Sequence, residues 1–384
     1  MCEEKKLTFR EKISARKKEY IEELRLGGFC KRSFVSLLFV LAAAIVIYIV
    51  SRNVTAFAEF WSRYPGGYIR AAVTLVTSIV PISLAEVIIL FAFPSMIVFL
   101  VTTMSSKLPD SVYYKRCRVL VSLTLVLASL YLTTFAPCYF RNPLEKNLGL
   151  ESKEVNIQTL QETADKLAKE LETLKEEVLY ASSGAALMPY SYSELVEKVN
   201  KAYMKFSADC DFLLTYPSVS KPLMVSSVMT YTHISGLYSF FTGEANINTN
   251  YPDFVMPYTI AHEMSHQRGI AAEDEANFVA FLVCIGSDDA FIRYSAYVSM
   301  YDYILDALYV ADSSAYQTAV QKAPSEVRGE LSAFAEFFRK YQGSTVSSVT
   351  NAVNNTFLQA QGQKDGVLSY GKVVELAVAY YADK

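Results

Sequence analysis

Three long runs almost free of charge fill the first third of this chain and limit what it can fold into. Residues 34–50, "FVSLLFVLAAAIVIYIV", carry no charge and are just long enough to span a hydrocarbon layer. Residues 69–101 form a second run, too long for one straight span and divided by Pro81. It reads as a short interfacial or re-entrant helix over residues 69–80 and a full span over about residues 82–101. Residues 119–137, "VLVSLTLVLASLYLTTFAP", are again nearly free of polar groups. The chain is therefore expected to cross the bilayer three times, at about 34–50, 82–101 and 119–137.

Lysine and arginine set the expected orientation. Residues 1–33 carry ten of them, and the loop between the second and third spans carries Lys107, Lys115, Arg116 and Arg118. The loop over residues 51–68 has only Arg52 and Arg63. By the positive-inside rule the basic N-terminus (1–33) lies in the cytoplasm and residues 139–384 lie outside the cytoplasmic membrane. Ala56-Phe57-Ala58 resembles a signal-peptide cleavage site, but the apolar run is longer than a usual signal core and Arg52 separates the two. The first span is read as an uncleaved anchor. A net charge of −3 gives no reason to expect a nucleic-acid partner, and the lipid bilayer is the partner that composition implies. Cys138, Cys210 and Cys284 fall in the exported part and allow at most one disulfide.

The exported part reads as α+β and mostly helical, with a small antiparallel sheet. Residues 155–180 place Leu160, Leu167, Leu171, Leu174 and Val178 at helical spacing, as a stalk or packing helix. Ser191 and Glu194 make a capping box for the next helix. Residues 221–250 are rich in β-branched and aromatic residues broken by Gly236 and Gly243, which suggests two or three short strands. Amphipathic helices follow, around residues 291–311 and 326–341. Glu86 is the one acid at bilayer depth, and such residues often mark a transport path.

The chemistry concentrates in "HEMSHQRGIAAEDEAN". Only three histidines occur in the chain, and His262 and His266 stand four residues apart, on one face of a helix punctuated by Pro257 and Gly269. Two imidazoles at that spacing can reach one ion about 2.0–2.1 Å away, which suits zinc. Glu263 borders the same face and could accept a proton from a water held by the ion, the arrangement of an HExxH site. The position at which a metzincin would carry its third histidine is Ala272, so a carboxylate is needed instead. A helix starting near Ala272 would bring Glu273 to the ion and leave Asn277, one turn on, to hydrogen-bond a ligand histidine. Glu275 is the alternative third ligand. An extended substrate could pair with a neighbouring edge strand, for which residues 240–250, with Glu244 and Asn246, are the candidate. His233 and Tyr231 are candidate oxyanion donors.

HExxH followed by Glu-x-x-x-Asn, Glu273 to Asn277, resembles the gluzincin metallopeptidases, with a shorter gap between His266 and Glu273 than is usual there. The resemblance implies a zincin-like fold with Glu273 as third zinc ligand and Asn277 supporting a histidine. The three spans with "KPLMVSS", "ISGLYSFFTGEANIN", "HEMSHQRG", "EDEANF" and "SYGKVVEL" resemble a bacterial membrane family catalogued as domain of unknown function 3810. Together these readings lead us to expect a membrane-anchored zinc metallopeptidase acting on a peptide or protein substrate outside the cell membrane. The rival is a surface binding protein in which zinc merely pins two helices.

Overall fold

A computed structural model describes residues 9–105, 108–342 and 370–382 of the chain. Residues 1–8, Lys107 and Ser369 of the stretches named above lie outside the described residues. In chain order the helices are α1 (Phe9–Gly27), α2 (Arg32–Asn53), α3 (Thr55–Arg63), α4 (Pro65–Thr77), α5 (Leu84–Ser105) and α6 (Asp110–Thr134). There follow α7 (Leu144–Leu148), α8 (Ile157–Leu174), α9 (Tyr192–Ala208), α10 (Ser226–Met229), α11 (Val255–Gln267) and α12 (Glu273–Ile285). The last are α13 (Ala290–Ala311), α14 (Ser313–Lys322), α15 (Ser325–Arg339) and α16 (Tyr370–Ala382). Five short strands complete the fold: β1 (Leu179–Tyr180), β2 (Ala186–Leu187), β3 (Ser220–Pro222), β4 (Gly236–Ser239) and β5 (Glu244–Ile247).

Three helices, α2, α5 and α6 with its 3₁₀ extension to Phe140, are long and apolar enough to cross a membrane. The second begins at Leu84, slightly inside the expected residue 82. Its turn over Ile88–Ala92 widens to a π-helix just before Pro94. Pro94 has no N–H for the ordinary helical bond, and a wider turn absorbs that loss.

The chain divides into two compact units. One holds Met1–Val50 and Val87–Thr133, and the other Ser51–Glu86 and Thr134–Lys384. The second unit is thus larger than the region 139–384 read from sequence, because α3, α4 and the first turn of α5 belong to it. The hydrophobic segment expected over residues 69–80 is α4, which starts at Pro65, where proline's missing N–H is harmless, and stops at Thr77. It is two-faced. Gly66, Gly67, Arg70 and Thr74 are buried, while Tyr68, Ile69, Leu75 and Val76 are exposed.

In the second unit α8 packs along α13 with Leu160, Leu167, Leu171 and Leu174 buried, so it is a packing helix. It ends at Leu174, short of the expected residue 180, and passes through a 3₁₀ turn into the β1–β2 hairpin. Asn156 caps its start, and Ser191 with Glu194 forms the capping box of α9. The main sheet has the order β3-β5-β4. It is mixed where an antiparallel sheet was expected: β4 runs antiparallel to β5, while β3 is parallel to it. The chain returns through α10 between β3 and β4, and that crossover sets β3 parallel to β5. Next to the sheet lies α11, which buries almost every residue against β5, α12 and α13.

Candidate metal centre

The two histidines are held by a helix whose end is unusually well secured. Pro257 sits in the first turn of α11, and Gly269 ends the helix with a positive φ of 83°. Beyond it the Ile270 N–H bonds back to the Ser265 carbonyl and the Gly269 N–H to His266 O, a Schellman closure that needs the left-handed glycine. Three side chains from distant parts of the unit bind the carbonyls left over. Arg70 of α4 donates to the carbonyls of Gln267 (3.2 Å), Ser62 (2.7 Å) and Thr134. Tyr216 donates to Gln267 O at 2.9 Å. Arg141, paired with Glu59, donates to Gly269 O at 3.1 Å. No Cβ fits at Gly269, because it would lie 2.3 Å from the Arg70 guanidinium.

That closure matters for the imidazoles. The Ile270 carbonyl lies 2.7 Å from His266 Nδ1, which therefore carries the proton and leaves a lone pair on Nε2. His266 Nε2 faces His262 Nε2 at 3.1 Å, with the ring planes at 89°. Glu273, the first residue of α12, brings one carboxylate oxygen to 3.2 Å from His262 Nε2 and the other to 3.6 Å from His266 Nε2. Ligand atoms around a tetrahedral zinc at about 2.05 Å stand roughly 3.3 Å from one another. The three side chains are thus spaced as ligands of one small cation. Among the described residues no fourth histidine, cysteine or carboxylate joins them.

Burial disfavours charge at this site, yet the attraction between His266 and Glu273 outweighs it. The His266 pKa is raised to about 9, and Glu273 falls well below the usual carboxylate range. Lone pairs that hold a proton this strongly are also the ones a cation would use.

Glu263 stands beside the three without joining them. Its carboxyl is buried, and burial pushes its pKa up against the pull of the two imidazoles. The Tyr238 N–H of β4 donates to it. β4 is an edge strand, bonded to β5 on one side only. Gly236 on that strand has no room for a side chain, since a Cβ would lie 2.6 Å from Glu263 Oε1. The carboxylate therefore packs directly onto bare backbone.

Several expected site residues lie elsewhere. Glu275 points away from the histidines and accepts from the Leu144 N–H at 2.8 Å, and burial raises its pKa to about 7. Asn277 is buried, but it does not hold either histidine. His266 is oriented by Ile270 O, and the buried Nδ1 of His262 has no partner among the described residues. Residues 240–250 do not offer an edge strand. β5 is the central strand, closed on both sides by β3 and β4, so the edges are β3 and β4, of which β4 lies beside Glu263. Glu244 is buried in an ion pair with Lys221 and accepts from the Leu84 and Ala85 N–H groups, while Asn246 donates to Leu237 O. His233, in left-handed conformation, reaches Tyr341 O at 3.1 Å and packs on Phe338. Tyr231 packs on Tyr341. Both oxyanion candidates are thus engaged by the segment after α15. Glu86 is buried and accepts from the Met224 and Val225 N–H groups, each at 2.8 Å. Cys138, Cys210 and Cys284 are all free thiols.

Three contributors were missed in the sequence. Arg70 had a signal, being a lone charge inside an apolar run just as Glu86 is. Gly236 was read only as a strand breaker. Phe135, whose ring lies 6.2 Å from that of His266, gave no signal.

The fold and this cluster together define a mostly helical protein with three span-length helices among the described residues and a cluster of two histidines and a glutamate beside a small mixed sheet. The family model described as protein of unknown function DUF3810 matches residues 62–378, most of the chain and all of the site, and the chain belongs to that family. No curated protein and no solved structure matches it.

Proposed function

We propose that this chain is a membrane-anchored zinc metallopeptidase, with His262, His266 and Glu273 as the ligands and Glu263 as the general base. The observation that carries the reading is the convergence of two imidazole Nε2 atoms and a carboxylate within 4.8 Å, with no fourth ligand among the described residues. An open coordination position favours catalysis over a purely structural ion. When bound, zinc would supply Lewis acidity and lower the pKa of a water towards about 7.

The chain's own groups would do the rest. Glu263, raised in pKa by burial, takes a proton from the attacking water and passes it to the departing amide nitrogen. The water oxygen stays on the carbonyl carbon as the new carboxyl, and the peptide C–N bond breaks. The Ile270 carbonyl keeps His266 in the tautomer with Nε2 free. Edge strand β4 lies beside Glu263, and an extended peptide could add antiparallel to the backbone that the Tyr238–Glu263 bond leaves over. Its residues Gly236 and Tyr238, and not Glu244 or Asn246, are the ones this reading assigns to substrate. The three span-length helices are read as the anchor, with the site outside the cytoplasmic membrane.

The test pairs elemental analysis with hydrolysis of a mixed peptide library. Glu263→Gln is expected to keep one zinc per chain and lose at least about 100-fold in rate. His262→Ala is expected to lose both zinc and hydrolysis. Full activity in Glu263→Gln would remove Glu263 as the base. Stoichiometric zinc without hydrolysis in the parent protein would favour the rival, a zinc-pinned binding protein.

A further inference from the structure

The site is built on the outer ends of the span-length helices. Glu244 of β5 accepts from the Leu84 and Ala85 N–H groups, the first two residues of α5. Glu86, one residue on, returns the favour by binding the Met224 and Val225 N–H groups of the loop before α10. At the end of α6 the Thr134 carbonyl accepts from Arg70, and Phe135, the next residue, packs against both His266 and Tyr238. A hydrocarbon-spanning helix that begins at Leu84 and another that ends at Thr134 put these two ends at the same bilayer face. His266 is thus one aromatic contact, through Phe135, from the end of α6.

The surface around these ends is apolar. From Tyr64 to Ala85 the only charged side chain is Arg70, and it is buried. Tyr68, Ile69, Leu75, Val76 and Ile79 are exposed on that stretch, Ile79 at 81%. The segment tied to Glu86 exposes Met224, then Val228 of α10 at 69% and Tyr231 just after it, and leads into edge strand β4. Exposed tyrosines beside exposed aliphatics, continuous with span ends, are the composition of a membrane interface. Apolar surface of this extent on a water-facing rim would be costly without a cover.

We infer that the outer bilayer surface covers this rim, and that the site cleaves membrane-borne polypeptide close to its lipid or transmembrane anchor, in preference to freely diffusing peptide. This rests on the peptidase reading above. Substrate enters along β4 from the bilayer side, past Met224 and Val228, and the first residues beyond its anchor are already level with Glu263.

The experiment uses the full chain, zinc-loaded and reconstituted in phosphatidylcholine–phosphatidylglycerol vesicles. Tryptophan is placed at Val228 or Ile79, with Lys169→Trp on the exposed face of α8 as control. Lipids brominated near the headgroup are expected to quench the added fluorescence at 228 and 79, over that of Trp61 in the parent, and not at 169. In a second arm a mixed fluorogenic peptide library is offered free, palmitoylated directly beside the cleavable region, or palmitoylated through a spacer of about 20 residues, which reaches up to roughly 70 Å. The directly palmitoylated library is expected to be cut at least about tenfold faster than the free one and no slower than the spaced one. Absence of quenching at 228 and 79 would overturn the seating on lipid, whatever the peptidase result. Cleavage of the spaced library alone, or equal cleavage of the free one, would overturn the substrate assignment while leaving the peptidase reading intact. If no library is cut although Val228→Trp is quenched, the peptidase reading itself falls, and the substrate assignment with it.

Discussion

Helices α2 and α11 invert each other's surface. On α2 most of the large apolar side chains point outward, with Phe39 71% exposed, while Phe34, Ala44 and Ser51 are buried. On α11 nearly everything is buried, polar side chains included: Thr259, Glu263, Ser265, His266 and Gln267. A helix in lipid needs no partner for its apolar face and has no polar groups to satisfy. A helix in a protein core that carries five buried polar side chains must find each of them a partner. Most of those partners are visible: Tyr203 for Ser265, Ile270 for His266, Tyr238 for Glu263 and Gly243 for Gln267. Among the described residues the buried Gln267 Oε1 and, on half-buried His262, the Nδ1 have no partner, and the latter lies at the proposed site.

The contrast can be broken by substitution. Truncating Ile260 of α11, which is fully buried, to alanine is expected to cost about 2–5 kcal/mol of stability, measured by chemical unfolding of the reconstituted protein. The matching change on α2, Val46→Ala, is expected to cost well under about 1 kcal/mol in lipid, because lipid tails are as apolar as the side chain removed. Equal costs would mean that α2 is packed in protein as α11 is.

Arg70→Met sharpens the comparison at the end of α11. It keeps the aliphatic volume but takes the guanidinium from the Ser62 and Thr134 carbonyls and leaves Gln267 O with Tyr216 alone. A loss of about 3 kcal/mol is expected, with weakened zinc retention because the turn carrying Ile270 loosens. Zinc affinity unchanged in a folded Arg70→Met protein would separate the clamp from the site.

The smallest effect concerns Glu330 of α15, buried away from the site beside Ala186 and Tyr294. Burial raises its pKa from 4.5 to about 7. Between those values the folded chain holds a proton that the unfolded chain has lost, so stability falls as pH rises from about 4.5 to about 7. Glu330→Gln is expected to flatten that part of the pH–stability curve, read by thermal unfolding at several pH values. No such interior titration is available to the exposed apolar face of α2.

How much was legible follows from how local each signal is. The span-length helices, the helix of the two histidines, the capping box at Ser191 and the helices near residues 291–311 and 326–341 rest on periodicity and punctuation within one segment. They could be read without any tertiary knowledge. Glu273 was also within reach, because it lies one turn and a half-loop beyond His266. The sheet was misread because strand order is non-local: nothing in "FFTGEANINTN" reveals that a strand twenty residues earlier closes its other side. Asn277 was assigned to a histidine by register alone, but the Schellman turn had already brought Ile270 O to His266.

By itself the sequence determined three apolar helices, a pair of imidazoles one helical turn apart and a glutamate between them, since each depends only on residues close in the chain. Only the tertiary structure decided that α3 and α4 belong with the site, that β4 is the edge strand beside Glu263, and that Arg70 closes the histidine helix. Those outcomes depend on which buried carbonyls and strand edges were left unsatisfied after folding, and such groups find their partners across more than a hundred residues of chain.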